Sequence, residues 1–390
     1  MARDLNWSTA VHPLLARALV LAAALALPRA ARAQSPVTPT LAAQLRATGD
    51  IALDGEGPPA LVELRRLRPG LRFNALDGRF TGAFVLNTTP SSLELIDAWA
   101  EYRLGSWARV REGQTKQPFT AYRLGSFTDL AFVDWALVTR AFGGERQLGV
   151  ELHDRGEDHA LEYSVGVWNG TTVRAAHGRG VADVYAEPLD NLSDLRAYHG
   201  PDAPHPELSA RAAWHHRGAV ALRAGLSALV DAQPNTARDF RAAFAPELSL
   251  AYGALRVEAT GYLGLSERTE SPGVAGTWGV LAEARYTVAS RVTLGLRFAR
   301  VDRDAALRAD ARARADRLIA EAPMDNRPAL TRRYAEAGAV RAEQELTAAV
   351  ALRFPSSPFS AQADAGWLRT ERGDGTRDAV RLRAQVQLVF

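Results

Sequence analysis

Cysteine is absent from the 390-residue chain. This excludes disulfides, thiolate metal sites and cysteine nucleophiles. Lysine is almost absent as well: Lys116 stands alone, and arginine carries nearly all the positive charge. Past the first few tens of residues, no apolar run approaches the ~20 residues that a membrane-crossing helix needs. A membrane protein without such a helix has one architecture left, the closed β-barrel, because only closure pairs every backbone polar group in lipid. The signatures of hydrolytic sites are missing too, with no Gly-x-Ser-x-Gly elbow and no His-Glu-x-x-His pair. His159 and Ser164 share one strand-like segment on opposite parities. His215 and His216 are adjacent and point to opposite faces of a strand, which argues against a shared metal ion. No catalytic residue, cofactor or metal site is expected.

The formal charge of +3 carries no argument for nucleic acid. It is the surplus of Arg3, Arg17, Arg29 and Arg32 over Asp4, all in a segment with the features of a targeting sequence. There Arg3 opens a charged region, Leu14 to Leu27 is mostly Leu and Ala, and Ala31-Arg32-Ala33 has the small-x-small form of a signal-peptidase site. Residues 1–33 are therefore expected to be a cleaved signal peptide, followed by a Pro- and Thr-containing lead over 34–45. The remainder is formally neutral.

What is present is period-two alternation. In the last stretch, Val380, Leu382, Ala384, Val386, Leu388 and Phe390 share one parity, and Arg381, Arg383, Gln385 and Gln387 share the other. In a soluble sandwich the polar parity would be wet and the apolar parity would cover a core. In a membrane barrel the apolar side chains face lipid and the polar ones face a lumen. The chain ends on an aromatic residue, Phe390, in the manner of outer-membrane barrels whose terminal strand is read by the assembly machinery.

Similar segments run through the rest of the chain. A weak first strand falls at Ala47 to Asp54 and a stronger one at Leu61 to Ala75, turning through Leu76-Asp77-Gly78. Ile96 to Leu104 returns as Trp107 to Gln114, with Asp97, Trp99, Glu101 and Arg103 on the inward parity. Short turns alternate with longer loops, as in barrels with tight periplasmic turns and longer outer loops. The expected fold is an all-β transmembrane antiparallel barrel over 46–390 with about 16 strands, a size that leaves room for an aqueous channel.

Three stretches lose the alternation: Thr115 to Glu145, 169–206 and 302–334. The first carries Phe119, Tyr122, Phe127, Phe132, Trp135 and Phe142, too aromatic for a disordered loop. The third contains Asp304 to Ala322, with helical propensity. If that helix entered the lumen, the barrel would be plugged and would serve as a structural or adhesion protein. That is the second function class considered.

Five stretches resemble, in order and spacing, the first half of the family of phosphate-selective porins O and P. They are Leu64-Arg65-Arg66-Leu67-Arg68, Asp97-Ala98-Trp99-Ala100-Glu101-Tyr102, Gly113-Gln114-Thr115-Lys116-Gln117-Pro118-Phe119, Arg146-Gln147-Leu148-Gly149-Val150 and Gly166-Val167-Trp168-Asn169-Gly170. The resemblance implies a usually trimeric outer-membrane channel of about sixteen strands that favours anions. It also implies that Lys116 and the following segment fold into the channel near its constriction, as inward-folding loop 115–145. The phosphate-selective members place several lysines there, whereas here Lys116 stands alone.

The inward parity gathers Arg66, Arg68, Arg72, Arg109, Arg111, Arg211, Arg223, Arg241, Arg256, Arg285, Arg297, Arg353, Arg381 and Arg383. It also gathers the acids Asp97, Glu101, Glu151, Glu162, Glu247, Glu258, Glu283 and Asp364. Cross-pairing would make these a structural network, and the surplus cations would face water and favour anions. The expected anion path is Lys116 with Arg66, Arg68, Arg72, Arg109, Arg111, Arg223, Arg297, Arg381 and Arg383. The expected partners are small anionic or hydrophilic solutes, outer-membrane lipid, the barrel-assembly machinery acting on Phe390, and two further copies of the chain in a homotrimer, with no role for nucleic acid.

Overall fold

The computed structural model describes residues 37–390 apart from 54–60, 89–92, 143–145, 156–158, 169–205, 232–241, 269, 289, 329–330, 332–337 and 355–356. The expected signal peptide, nearly all of loop 169–206, and Arg241 lie outside the described residues. The chain divides into 1–38 and a compact unit over 39–390.

That unit is a closed antiparallel barrel of sixteen strands, each hydrogen-bonded to its sequence neighbours, with the first strand closing on the last. The strands are β1 (Val37–Ala52), β2 (Leu61–Ala75), β3 (Phe80–Thr88), β4 (Leu93–Arg103), β5 (Arg109–Lys116) and β6 (Arg146–Asp154). They continue as β7 (Leu161–Trp168), β8 (Glu207–His216), β9 (Val220–Asp231), β10 (Ala242–Tyr252) and β11 (Leu255–Glu267). The last five are β12 (Val274–Val288), β13 (Val292–Arg303), β14 (Val340–Arg353), β15 (Phe359–Arg372) and β16 (Gly375–Val389). Short helices α1 (Ala121–Leu124) and α2 (Leu137–Phe142) interrupt the β5–β6 connection, and α3 (Ala305–Glu321) follows β13.

The burial pattern is that of a membrane barrel rather than a soluble sandwich. On β16, Val386 is 52% exposed while its neighbour Gln385 is 3% exposed. Arg381, Arg383 and Gln387 are likewise buried, and Leu382 is exposed on the outside. Among the described residues no helix is long and apolar enough to cross a membrane. The strands do the crossing, with apolar side chains outward.

Closure corrects one boundary. The first strand begins at Val37, ten positions before the expected Ala47, and takes in most of the 34–45 lead. The alternation of 37–46 is weak. Residues 41–46 are nonetheless held as a strand because β16 and Phe390 would otherwise lack partners along that edge. Ala42 lies opposite Val389 and Ala52 opposite Ala379, and Leu41 and Phe390 exchange backbone hydrogen bonds of 2.8 and 3.0 Å.

The turn after β2 has Leu76, Asp77 and Gly78 all at positive φ, the geometry a tight hairpin requires. At the opposite rim, α3 occupies much of the 302–334 stretch. Arg317 holds Glu270 at 2.8 Å in the β11–β12 connection. Asp310 accepts the Glu270 amide at 2.8 Å.

Candidate functional site: a loop across the lumen and a cationic cavity

The β5–β6 connection lies inside the barrel. Its entry is fixed by Thr120, buried and at φ 61°, a conformation that costs a β-branched residue ~1–3 kcal/mol unless neighbours impose it. The Thr120 amide donates to Ser227 Oγ on β9 at 3.2 Å. Its hydroxyl accepts from the Arg123 amide at 3.3 Å, capping α1. The Ala121 amide donates to Glu247 on β10 at 2.6 Å.

Beyond this the loop buries its aromatics against an apolar part of the inner wall. Phe119, Tyr122, Trp135, Val138 and Phe142 form a core with Leu229, Ala243, Ala245, Tyr262, Leu281, Ala299 and Val301. Each buried large side chain is worth about 1.5–3 kcal/mol. Glycine makes room at two points. A Cβ on Gly279 would stand 2.5 Å from Val138, and one on Gly295 would stand 2.9 Å from Phe132.

Polar ties complete the docking. Asp134 is 2% exposed. It receives Arg46 at 2.7 Å and Arg66 at 3.4 Å from β1 and β2. Its carbonyl accepts from Arg297 on β13 at 2.8 Å. The Val133 amide donates to Asp364 on β15 at 2.9 Å.

With the loop held against β9–β16, a cavity of about 430 Å³ remains beside β1–β6. Its lining includes Arg68, Arg72, Arg111, Lys116, Arg146 and Arg155 against one acidic side chain, Asp97. Three of these cations make no ion pair with a described residue. Lys116 Nζ donates to the carbonyls of Arg123 and Gly125 at 3.1 and 2.7 Å, leaving one of its three N–H groups. Arg68 donates to the neutral Asn87 at 3.1 Å and lies over Phe127. Arg72 is exposed on the same strand and lines the cavity.

The other arginines of the inward parity are placed differently. Arg109 and Arg111 both reach Glu101, Arg109 at 3.2 Å. Arg211 bonds Glu162 and Glu247, and Arg223 bonds Glu162 at 3.1 Å. Arg285 sits between Glu258 and Glu283 at 2.9 and 3.0 Å. Arg297 is fully buried on Glu345 at 2.8 Å, beneath Phe132. Arg381 pairs with Asp50, and Arg383 with Asp364 at 2.7 Å. Arg66 is held by Gln44 and Asp134. Arg353 is exposed, 3.9 Å from Asp129, and Arg256 is exposed. The wall is thus largely a cross-paired network.

One contributor, Asp134, carries no mark in the sequence. It sits in a loop with no period, so nothing marks it as the acid that faces Arg46, Arg65 and Arg66. Trp99 and Phe127 line the cavity. Trp99 was readable as an aromatic on an otherwise polar inward parity. Ser164 donates to Glu151 and His159 pairs with Asp154, so neither serves the other. His215 bonds Glu162, while His216 stacks on Trp214.

No family model and no characterised protein matches the sequence. Among solved structures the fold is similar to the outer membrane channel DcaP of Acinetobacter baumannii, with TM-score 0.56 and 12% identity over 92% of this chain and 99% of that one. It is similar to an anion-selective porin from Comamonas acidovorans, with TM-score 0.58 and 12% identity over 92% and 100%. It is also similar to OprB of Pseudomonas putida, with TM-score 0.56 and 11% identity over 91% and 94%. At these identities the likeness is one of fold. The chain has the sixteen-strand barrel of outer-membrane porins, and the similarity does not single out the phosphate-selective ones.

Proposed function

We propose that the protein is an outer-membrane porin for passive diffusion of small hydrophilic solutes, with anions preferred. The observation that carries this reading is the cavity between the lumen loop and β1–β6, where Arg68, Arg72 and Lys116 pair with no carboxylate among the described residues. Rings or patches of unpaired Arg and Lys in a narrow passage favour anions. Paired arginines such as Arg109, Arg111, Arg223, Arg381 and Arg383 add less net field and hold the wall. Arg66 and Arg297 belong to the loop's docking more than to the solute path. The fold likeness to an anion-selective porin points the same way.

With this reading go export through a cleaved signal peptide over 1–33, residence in the outer membrane of a Gram-negative envelope, recognition of Phe390 by the assembly machinery, and a homotrimer. OmpT of Vibrio cholerae, of similar fold, has a trimer form. No catalysis is assigned. Planar-bilayer reconstitution tests the core of the reading: stepwise conductance is expected, with a reversal potential on the anion side in a KCl gradient. A sealed barrel acting as a structural or adhesion protein would give no steps.

A further inference from the structure

The cationic cavity is also lined by aromatic rings. Trp99 on β4 and Phe127 in the lumen loop are both partly exposed there. Each already carries a guanidinium, Arg111 at 4.4 Å over Trp99 and Arg68 at 4.8 Å over Phe127. Arg66 also lies over Phe127 at 4.9 Å, yet both rings keep apolar surface on the cavity. The lipid-facing girdle does not explain them, because both point into the lumen. A volume of about 430 Å³ falls within the ~300–1,000 Å³ typical of small-molecule sites.

We propose that this cavity is a selectivity site for amphipathic organic anions, single-ring aromatic carboxylates being the class that fits. The inference rests on the anion-channel reading above and narrows it. The carboxylate would be taken by Arg68, Arg72 and the remaining N–H of Lys116, with the arginine forks suited to its two oxygens. The ring would lie against Trp99 and Phe127, in the tilted or edge-on arrangements that aromatic pairs favour. Acetate carries the same charge but cannot make the second contact, and chloride makes neither fork nor ring contacts.

The test uses the full-length protein in planar bilayers. A KCl gradient is read first, then the reduction of chloride current by sodium benzoate, cyclohexanecarboxylate and acetate at equal concentration. Benzoate should block most, with a half-blocking concentration at least about threefold below that of acetate, the scale of one aromatic contact. Cyclohexanecarboxylate should fall between. Phe127→Leu and Trp99→Leu should each shrink the gap between benzoate and acetate. Equal block by benzoate and acetate in an anion-selective wild-type channel overturns the proposal while leaving the porin reading in place. A benzoate preference untouched by both variants overturns the assigned site. Cation selectivity, or no conductance, overturns both readings.

Discussion

Arg46 of the first strand and Asp134 of the lumen loop, 88 positions apart, meet through Nη1 and Oδ2 at 2.7 Å with both side chains almost sealed from solvent. The same carboxylate receives Arg66. One loop acid therefore faces Arg46, Arg65 and Arg66 of the wall, and Arg46 is shared with Glu63. Breaking a buried pair from one side costs about 3–5 kcal/mol. Asp134→Ala should undock the middle of the loop without opening the barrel. Single-channel recordings should show larger and noisier conductance, and the temperature of heat-modifiability on gels should fall. Unchanged conductance would mean that the hydrophobic docking alone holds the loop.

The close approaches at Gly279 and Gly295 give an independent handle on the same loop. A side chain there would run into Val138, Phe142 or Phe132, and overpacking costs about 1–3 kcal/mol. Gly295→Leu should displace the loop toward the cavity side or out of the lumen. Either outcome changes single-channel conductance, while heat-modifiable barrel remains. An unaltered conductance would show that the loop does not form the narrowing.

At the rim, Glu270 has its carboxyl held below the usual carboxylate range, first by its hydrogen bond to Arg317. A depressed pKa means that the tether to α3 is fully present above the ordinary glutamate value of about 4.3. It is lost as pH falls through the depressed folded value. Proteolytic cutting of α3 should therefore be slow at neutral pH and faster in strong acid with an acid-active protease. Glu270→Gln should raise the neutral-pH cutting rate toward the acid one. Equal rates for wild type and variant at neutral pH would show that the contact does not restrain the helix.

The architecture was largely readable because a membrane barrel writes its two faces into alternate residues. Leu61 to Ala75, the turn at Leu76-Asp77-Gly78 and the parity of Arg381 and Arg383 follow directly from that period. β1 starts earlier than its pattern predicts because residues 41–46 owe their state to the edge of β16 and Phe390 rather than to their own alternation. Parity placed the arginines inward but could not tell a paired cation from a bare one. Whether Arg383 meets Asp364, or Arg72 meets no described carboxylate, depends on strand register across the sheet. The loop was legible as an aromatic interruption, yet its docking depended on Ala243, Ala245 and Ala299. Those small inward residues carry no signal until the loop is seen lying on them.

Phe390 exchanges two backbone hydrogen bonds with Leu41 where the barrel closes. Each is worth about 0.5–1.5 kcal/mol net, and the side chain adds about 1.5–3 kcal/mol at most. Deleting Phe390 should lower the melting temperature of purified, refolded barrel only modestly. If assembled barrel in the outer membrane nevertheless collapses, the residue acts as a recognition signal as well as a closing contact. Normal levels in cells would count against the signal role.

In the porin reading, Lys116, Arg68 and Arg72, which pair with no described carboxylate, set the sign of selectivity. Lumen charges act over about 8–10 Å at physiological salt and farther when salt is low. The direct measurement is the zero-current potential of wild type and Lys116→Glu in matched KCl gradients at low and high mean salt. Wild type should reverse on the anion side. Lys116→Glu should move the potential toward the cation side, more at low salt than at high. A wild-type channel that prefers cations, or a Lys116→Glu channel with unchanged selectivity at low salt, would contradict the account.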